Sequence, residues 1–373
     1  MRALAVIFAV ALCAPSVFSG DVAQQCSDDL CKIDEECRCS STANPVAKDQ
    51  APQLIALTFF EAVTQDLFDT YWDPLLFNRI NPDGNVVGAT FFVPHEYTDY
   101  ERVNDLYNYG FEIGVHSITK NNLQSYWRNA PQELLEQEFG GQKKIISKFA
   151  NIPEKDIIGV RTPQLQLNGN YSISAFVDAG FKYDSSWPTQ SNRPLLPYTL
   201  DYLSSQDCEL GATCPNEPFK GFWILPIVDL NGAEDKQCNS LGACDVSGTV
   251  DEISDWLFNE VQKVRNNNRA PLTIVIESNW FEKTKTSFEA LQKTVDRLLD
   301  LKDVFFINLQ QVIEWIEDPV PLSEFKTHVY DDRSASCRAV TCKLVNEDQE
   351  DRYMKSCVTC PSKYPWLGNP DGN

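Results

Sequence analysis

The 373-residue sequence is poor in histidine and in basic charge: it holds three histidines, and 32 lysines and arginines against 53 acidic residues, for a formal charge of −21. That deficit excludes a nucleic-acid partner, because affinity for a phosphate backbone comes mainly from cations that displace its counterions. A neutral polysaccharide suits the balance better. With so few histidines, the Cys357 and Cys360 spacing is read as stapling and not as a zinc finger. Apart from Ala3 to Val17 the chain has no long uncharged stretch, and that run falls short of the roughly 18 to 20 residues of a membrane span. Internal repeats, low-complexity tracts and a separate carbohydrate-binding module are also missing.

What is present begins with a secretory pattern. Arg2, the apolar run, and small residues at Ser19 and Gly20 make residues 1–20 an expected signal peptide. Its removal also takes Cys13 and leaves twelve cysteines, Cys26, Cys31, Cys37, Cys39, Cys208, Cys214, Cys238, Cys244, Cys337, Cys342, Cys357 and Cys360. An even count in a secreted chain implies up to six disulfides, with pairing left open by the spacing. Asn170-Tyr171-Ser172 is an N-glycosylation sequon. Residues 21–48 read as a cysteine-rich leader, 49–325 as the main domain and 326–373 as a cysteine-rich strap packed on it. A monomer is expected.

Short β-branched or apolar runs alternate with longer amphipathic ones. Strands are expected at Leu54–Phe60, Gly88–Val93, Glu112–His116, Ile157–Arg161, Phe222–Val228, Leu272–Glu277 and Val304–Asn308. Helical spacing marks Pro131–Phe149, Thr249–Asn266 and Ser287–Leu301. Such alternation predicts an α/β fold, a distorted (β/α) barrel of parallel strands with its chemistry at the strands' carboxyl ends.

Five segments, in order, carry a resemblance. Leu57-Thr58-Phe59-Phe60-Glu61-Ala62 is similar to the first motif of polysaccharide deacetylases, Thr-Phe-Asp-Asp-Ala in the insect chitin deacetylases. His116-Ser117-Ile118-Thr119-Lys120 follows the second motif, His-Ser-x-x-His, except at its last position. Gly159-Val160-Arg161-Thr162-Pro163, Tyr183-Asp184-Ser185-Ser186-Trp187 and Ile276-Glu277-Ser278-Asn279-Trp280-Phe281 resemble the third, fourth and fifth. The tail from Arg352 to Pro370 is similar to the C-terminus of the insect enzymes. The chain thus resembles the insect chitin deacetylase family over residues 49–373.

The resemblance implies hydrolysis of the acetamide of N-acetylglucosamine units by a metal-bound water. An aspartate and two histidines hold the metal, a second aspartate is the base, and a histidine protonates the leaving amine. Phe60 stands at the base position, and a phenyl ring accepts no proton. Glu61 stands at the ligand aspartate and His116 keeps the first histidine. Lys120 replaces the second; a protonated ammonium has three donors and no lone pair. Glu277 replaces the acid histidine. Arg161 and Asp184, supporting residues in the family, are retained. Pro163, Trp187, Trp280 and Phe281 are candidates for sugar contact, since aromatic faces stack on pyranose rings. His95 and His328 read as structural or surface residues.

The expected function is a secreted, chitin-binding or chitooligosaccharide-binding protein with deacetylase activity lost or very low, and with no cofactor. The alternative is a rebuilt centre in which Glu61, His116 and Glu277 hold Zn2+ or another divalent ion. A glycoside hydrolase using Glu61 and Glu277 is a third reading. If a helical turn follows His116, Lys120 points into the same pocket, and its ammonium is expected within about 4 Å of Glu61 or Glu277 in place of the metal. The chitin matrix of gut lining or cuticle is the expected address.

Overall fold

A computed structural model describes residues 22–330, 333–346 and 349–373, so the expected signal segment with Cys13 lies outside the described residues. Nine strands form one sheet: β1 Gln53–Phe59, β2 Ala89–Val93, β3 Glu112–Val115, β4 Gly159–Val160, β5 Tyr183–Asp184, β6 Tyr198–Leu200, β7 Phe219–Ile224, β8 Leu272–Ile276 and β9 Val304–Phe306. The order is β8-β1-β2-β3-β4-β5-β7-β6, with β9 pairing the first half of β1. Every pairing is parallel except that of β6 with β7. The sheet curls into a half-barrel. The expected distorted α/β barrel is the observed fold.

The sequence explains the centre of this sheet. All seven residues of β1 and all five of β2 and β8 are buried, as parallel strands covered on both faces require. Ile55 to Phe59 pairs with Leu272 to Ile276, and Leu57 to Phe59 with Ala89 to Phe91. The helix Val250–Asn267 starts at a capping box of Thr249 and Glu252 and buries Ile253, Leu257, Val261 and Val264 at three- and four-residue spacing. The expected helix at Pro131–Phe149 is continuous in space, but Glu136–Gly140 widens into a π turn between Gln132–Leu135 and Gly141–Phe149.

A polar girder crosses the barrel. Glu112 of β3, fully buried, accepts from Thr90 Oγ1 at 2.9 Å, Tyr183 Oη at 2.8 Å and the Gln310 amide at 3.0 Å. Gly159 makes room for it, since a Cβ there would lie 2.2 Å from the Tyr183 hydroxyl.

Six disulfides join the twelve cysteines: Cys26–Cys39, Cys31–Cys37, Cys208–Cys214, Cys238–Cys244, Cys337–Cys357 and Cys342–Cys360. The first two close the leader, which docks on β6 through Arg38, whose carbonyl accepts from the Thr199 amide at 2.9 Å. The last two staple the hairpin of β10 Val340–Val345 and β11 Asp351–Ser356, and Cys357 donates its amide to the Phe149 carbonyl at 2.7 Å. In the chain-entropy picture each of those tail loops, of sequence separation 20 and 18, contributes about 3 kcal/mol. The middle two shape loops at the barrel mouth. No described helix is long and apolar enough to cross a membrane.

Candidate functional site

The candidate residues gather because each follows the carboxyl end of a neighbouring strand. Phe60 and Glu61 succeed β1, His116 succeeds β3, Arg161 succeeds β4, Asp184 ends β5 and Glu277 succeeds β8. Parallel pairing in register brings these ends together. Phe60, His116, Arg161 and Glu277 line one cavity of about 250 Å³.

His116 is 2% exposed, and its Nδ1 lies 2.9 Å from the Arg161 carbonyl. A carbonyl can only accept, so Nδ1 carries the proton and Nε2 keeps its lone pair. Burial first, then the nearby Lys120 charge, push the imidazole well below its usual range, so the ring is neutral. The Phe60 ring meets His116 edge-on with centroids 5.2 Å apart.

Arg161 is 1% exposed and makes no ion-pair contact among the described residues. Its Nε donates to the Ser185 carbonyl at 2.7 Å, one terminal nitrogen to Thr58 Oγ1 at 2.7 Å and the other to Ser185 Oγ at 2.9 Å. Its guanidinium sits 4.4 Å from the centre of the Phe92 ring. Burial lowers its pKa to about 9. Asp184, fully buried, accepts from Trp187 Nε1 at 2.7 Å and from the Ser186 hydroxyl, and burial raises it to about 7 against those bonds and the Arg161 charge.

Glu61 accepts from the Ser278 amide at 2.9 Å and the Ser278 hydroxyl at 2.7 Å. Glu277 has a single long contact, Ser240 Oγ at 3.4 Å. Burial and the neighbouring Glu61 charge raise its pKa.

Lys120 corrects an expectation. Its ammonium rests 5.5 Å from the centre of the Phe60 ring and reaches neither Glu61 nor Glu277 within 4.0 Å. It is exposed by surface area, yet enough protein surrounds the ammonium for burial to lower its pKa, opposed by the charges of Glu61 and then Glu277. The physical reason is the loop. No helical turn follows His116; Ser117 and Lys120 adopt φ of 82° and 45°, and Glu138 grips the segment. The Glu138 carboxylate, fully buried, accepts from the Ile118 amide at 3.0 Å, the Thr119 amide at 2.9 Å, the Thr119 hydroxyl at 2.6 Å and Tyr126 Oη at 2.7 Å.

The three candidate ligands of a rebuilt metal centre are spread apart. Among the described residues the one group of three His, Cys, Asp or Glu ligand atoms within 4.8 Å of one another is Cys26, Cys31 and Cys39, all in disulfides. Glu61, His116 and Glu277 do not converge to that degree.

The expected sugar-stacking residues are placed differently. Trp187, Trp280 and Phe281 are 2%, 2% and 4% exposed, pack in the core and do not line the cavity; Pro163 is buried as well. The apolar wall comes from Leu165, Leu210 and Val275, beside Phe60. Leu210 and Ser240 belong to the loops closed by Cys208–Cys214 and Cys238–Cys244, and sequence reading passed over them. The six-residue cysteine spacing was their one signal. Asn170 lies in the first turn of the helix Gly169–Asp178, where its Nδ2 donates to Asn216 Oδ1 at 2.8 Å. His95 is buried, with Nδ1 2.7 Å from Tyr100 Oη, and His328 is surface-exposed, with Nε2 3.4 Å from Glu314.

No family model matches the chain. Against a peptidoglycan N-acetylglucosamine deacetylase of known structure it is 16% identical with a TM-score of 0.42, covering 74% of this chain and 92% of that one. Chitin deacetylase 1 of Bombyx mori is 29% identical over 376 residues, 94% of this chain and 69% of that protein. Chitin deacetylase 8 of Bombyx mori is 34% identical over 384 aligned residues that span the whole of both chains. With that identity along its entire length, the chain belongs to the chitin deacetylase family.

Proposed function

We propose that this chain is a secreted member of the family that binds chitin or chitooligosaccharide and no longer removes acetyl groups. The observation that carries the reading is the donor set at the cavity. A hydrolytic divalent ion needs about three converging lone pairs and an open position for water. His116 Nε2 offers one lone pair. Glu61 accepts two bonds from Ser278 and Glu277 keeps a nearly free carboxylate, but the ligand atoms of Glu61, His116 and Glu277 do not gather within 4.8 Å of one another, and Lys120 supplies an ammonium where a second imidazole is needed. A set that lacks the second imidazole and whose ligand atoms stand apart fits a hydrolytic ion poorly. Phe60 further removes the base, and general acid–base catalysis alone is worth roughly 10² to 10⁴-fold. What supports binding is the retained cavity with its apolar wall and buried Arg161. The stapled, acidic chain suits an extracellular chitin matrix.

Acetate release from N-acetylglucosamine oligomers tests this reading. The natural protein is expected at background, beside a control carrying Phe60→Asp, Lys120→His and Glu277→His. Turnover that survives repurification and matches an active deacetylase would overturn it.

A further inference from the structure

Resting on that binding reading, we propose that the cavity selects deacetylated units, taking the free ammonium of glucosamine in preference to the acetamido group of N-acetylglucosamine. Charge is the first ground. Arg161 is committed to Ser185 and Thr58 beneath the Phe92 ring, next to the Asp184 charge. Glu61 and Glu277 face the ammonium of Lys120, and Glu277 that of Lys283 as well, but neither carboxylate makes an ion-pair contact with them. A carboxylate without a contacting cation, partly withdrawn from water, is left with an interaction unmade, and such a charge is costly. A ligand ammonium supplies the missing cation; an acetamide does not.

Hydrogen bonding is the second and independent ground. His116 is 98% buried, lines the cavity, and has Nδ1 already donated to the Arg161 carbonyl, so its Nε2 faces a ligand as an acceptor. Glu277 lines the same cavity with almost all of its accepting capacity unused. Gly242 leaves room for that carboxylate, since a Cβ there would lie 2.6 Å from Glu277 Oε2. An ammonium carries three donors and no acceptor, matching an imidazole lone pair and a carboxylate. Phe60, Leu165 and Leu210 offer apolar surface to the sugar ring. The reaction class that makes such a ligand is deacetylation of N-acetylglucosamine polymer, so the protein would read the product of that chemistry.

Calorimetric titration of the full disulfide-bonded protein with a glucosamine hexamer and with an N-acetylglucosamine hexamer tests the proposal. The deacetylated hexamer is expected to bind roughly tenfold tighter, as a charge-assisted hydrogen bond implies. Glu277→Gln, which changes one charge of a formal −21, is expected to bring the ratio near one. A melting curve of that variant shows that it folds. Equal or tighter binding of the acetylated hexamer overturns the proposal and leaves chitin binding standing. A preference that persists in Glu277→Gln also overturns it, since the attraction then comes from the charge of the whole molecule. Binding of neither hexamer sinks both readings.

Discussion

Glu112 and Glu277 are carboxylates of one barrel, both pushed up in pKa first by burial, and their surroundings differ in kind. Glu112 sits inside the sheet and takes three donors at 2.8 to 3.0 Å from three different elements. Glu277 sits at the mouth with one contact at 3.4 Å. A buried acceptor with a full set of donors is a structural tie. An acceptor left open on a cavity is available to a ligand, at some cost to the fold. Where the resemblance implies a metal site with a position open to water, this cavity carries the Phe60 ring, the Lys120 ammonium 5.5 Å from its centre, and a nearly free carboxylate at Glu277.

The largest effect expected from this contrast is at Glu112. Glu112→Ala leaves the Thr90 and Tyr183 hydroxyls and the Gln310 amide without their acceptor inside the barrel, and each such group costs about 1 to 3 kcal/mol. A loss on the order of 5 kcal/mol is expected in denaturant unfolding. A loss below about 1 kcal/mol would break the structural half of the comparison.

Asp229 sharpens it. This residue is 5% exposed, its Oδ1 has no partner, and burial with the Glu209 charge raises its pKa to about 7. The folded pKa lies above the ordinary 3.8, so the fold favours the neutral acid. Its contribution is fully present below about pH 3.8 and is lost as pH rises through about 7. Asp229→Asn is therefore expected to stabilise the protein at pH 8 by up to about 4 kcal/mol, with the gain vanishing by about pH 4. Equal melting temperatures of the two proteins at pH 8 would contradict this.

A smaller change is expected at Glu277. Because it holds almost nothing, Glu277→Gln should melt at or slightly above the natural protein, within about 1 kcal/mol. Destabilisation comparable to that of Glu112→Ala would show that Glu277 is a tie after all.

The sequence carried much of this. Strands of four or more buried apolar residues were legible, and so were the strand-end positions of Phe60, His116, Arg161 and Glu277, because parallel pairing fixes them. Tyr183–Asp184 and Tyr198–Leu200 sit beside Lys182, Pro197 and Asp201 with no apolar run to mark them, unlike the equally short Gly159–Val160 and Val304–Phe306, which lie within longer apolar runs. The motif aromatics were misplaced because composition does not say which side of a strand end is core. Trp187 turns inward to bond Asp184, and Trp280 packs at 5.6 Å on Phe281. The Lys120 position depended on a loop whose geometry is set by Glu138, eighteen residues away in sequence and inside a π turn that no local pattern announces.

The central claim is that this cavity has lost the metal and kept room for a sugar. Its most direct test is the zinc content of the folded protein after dialysis against excess zinc and then against metal-free buffer. Well under one equivalent per chain is expected, with a melting temperature that chelator leaves unchanged. One tightly held equivalent, lost together with several degrees of melting temperature on chelation, would contradict it.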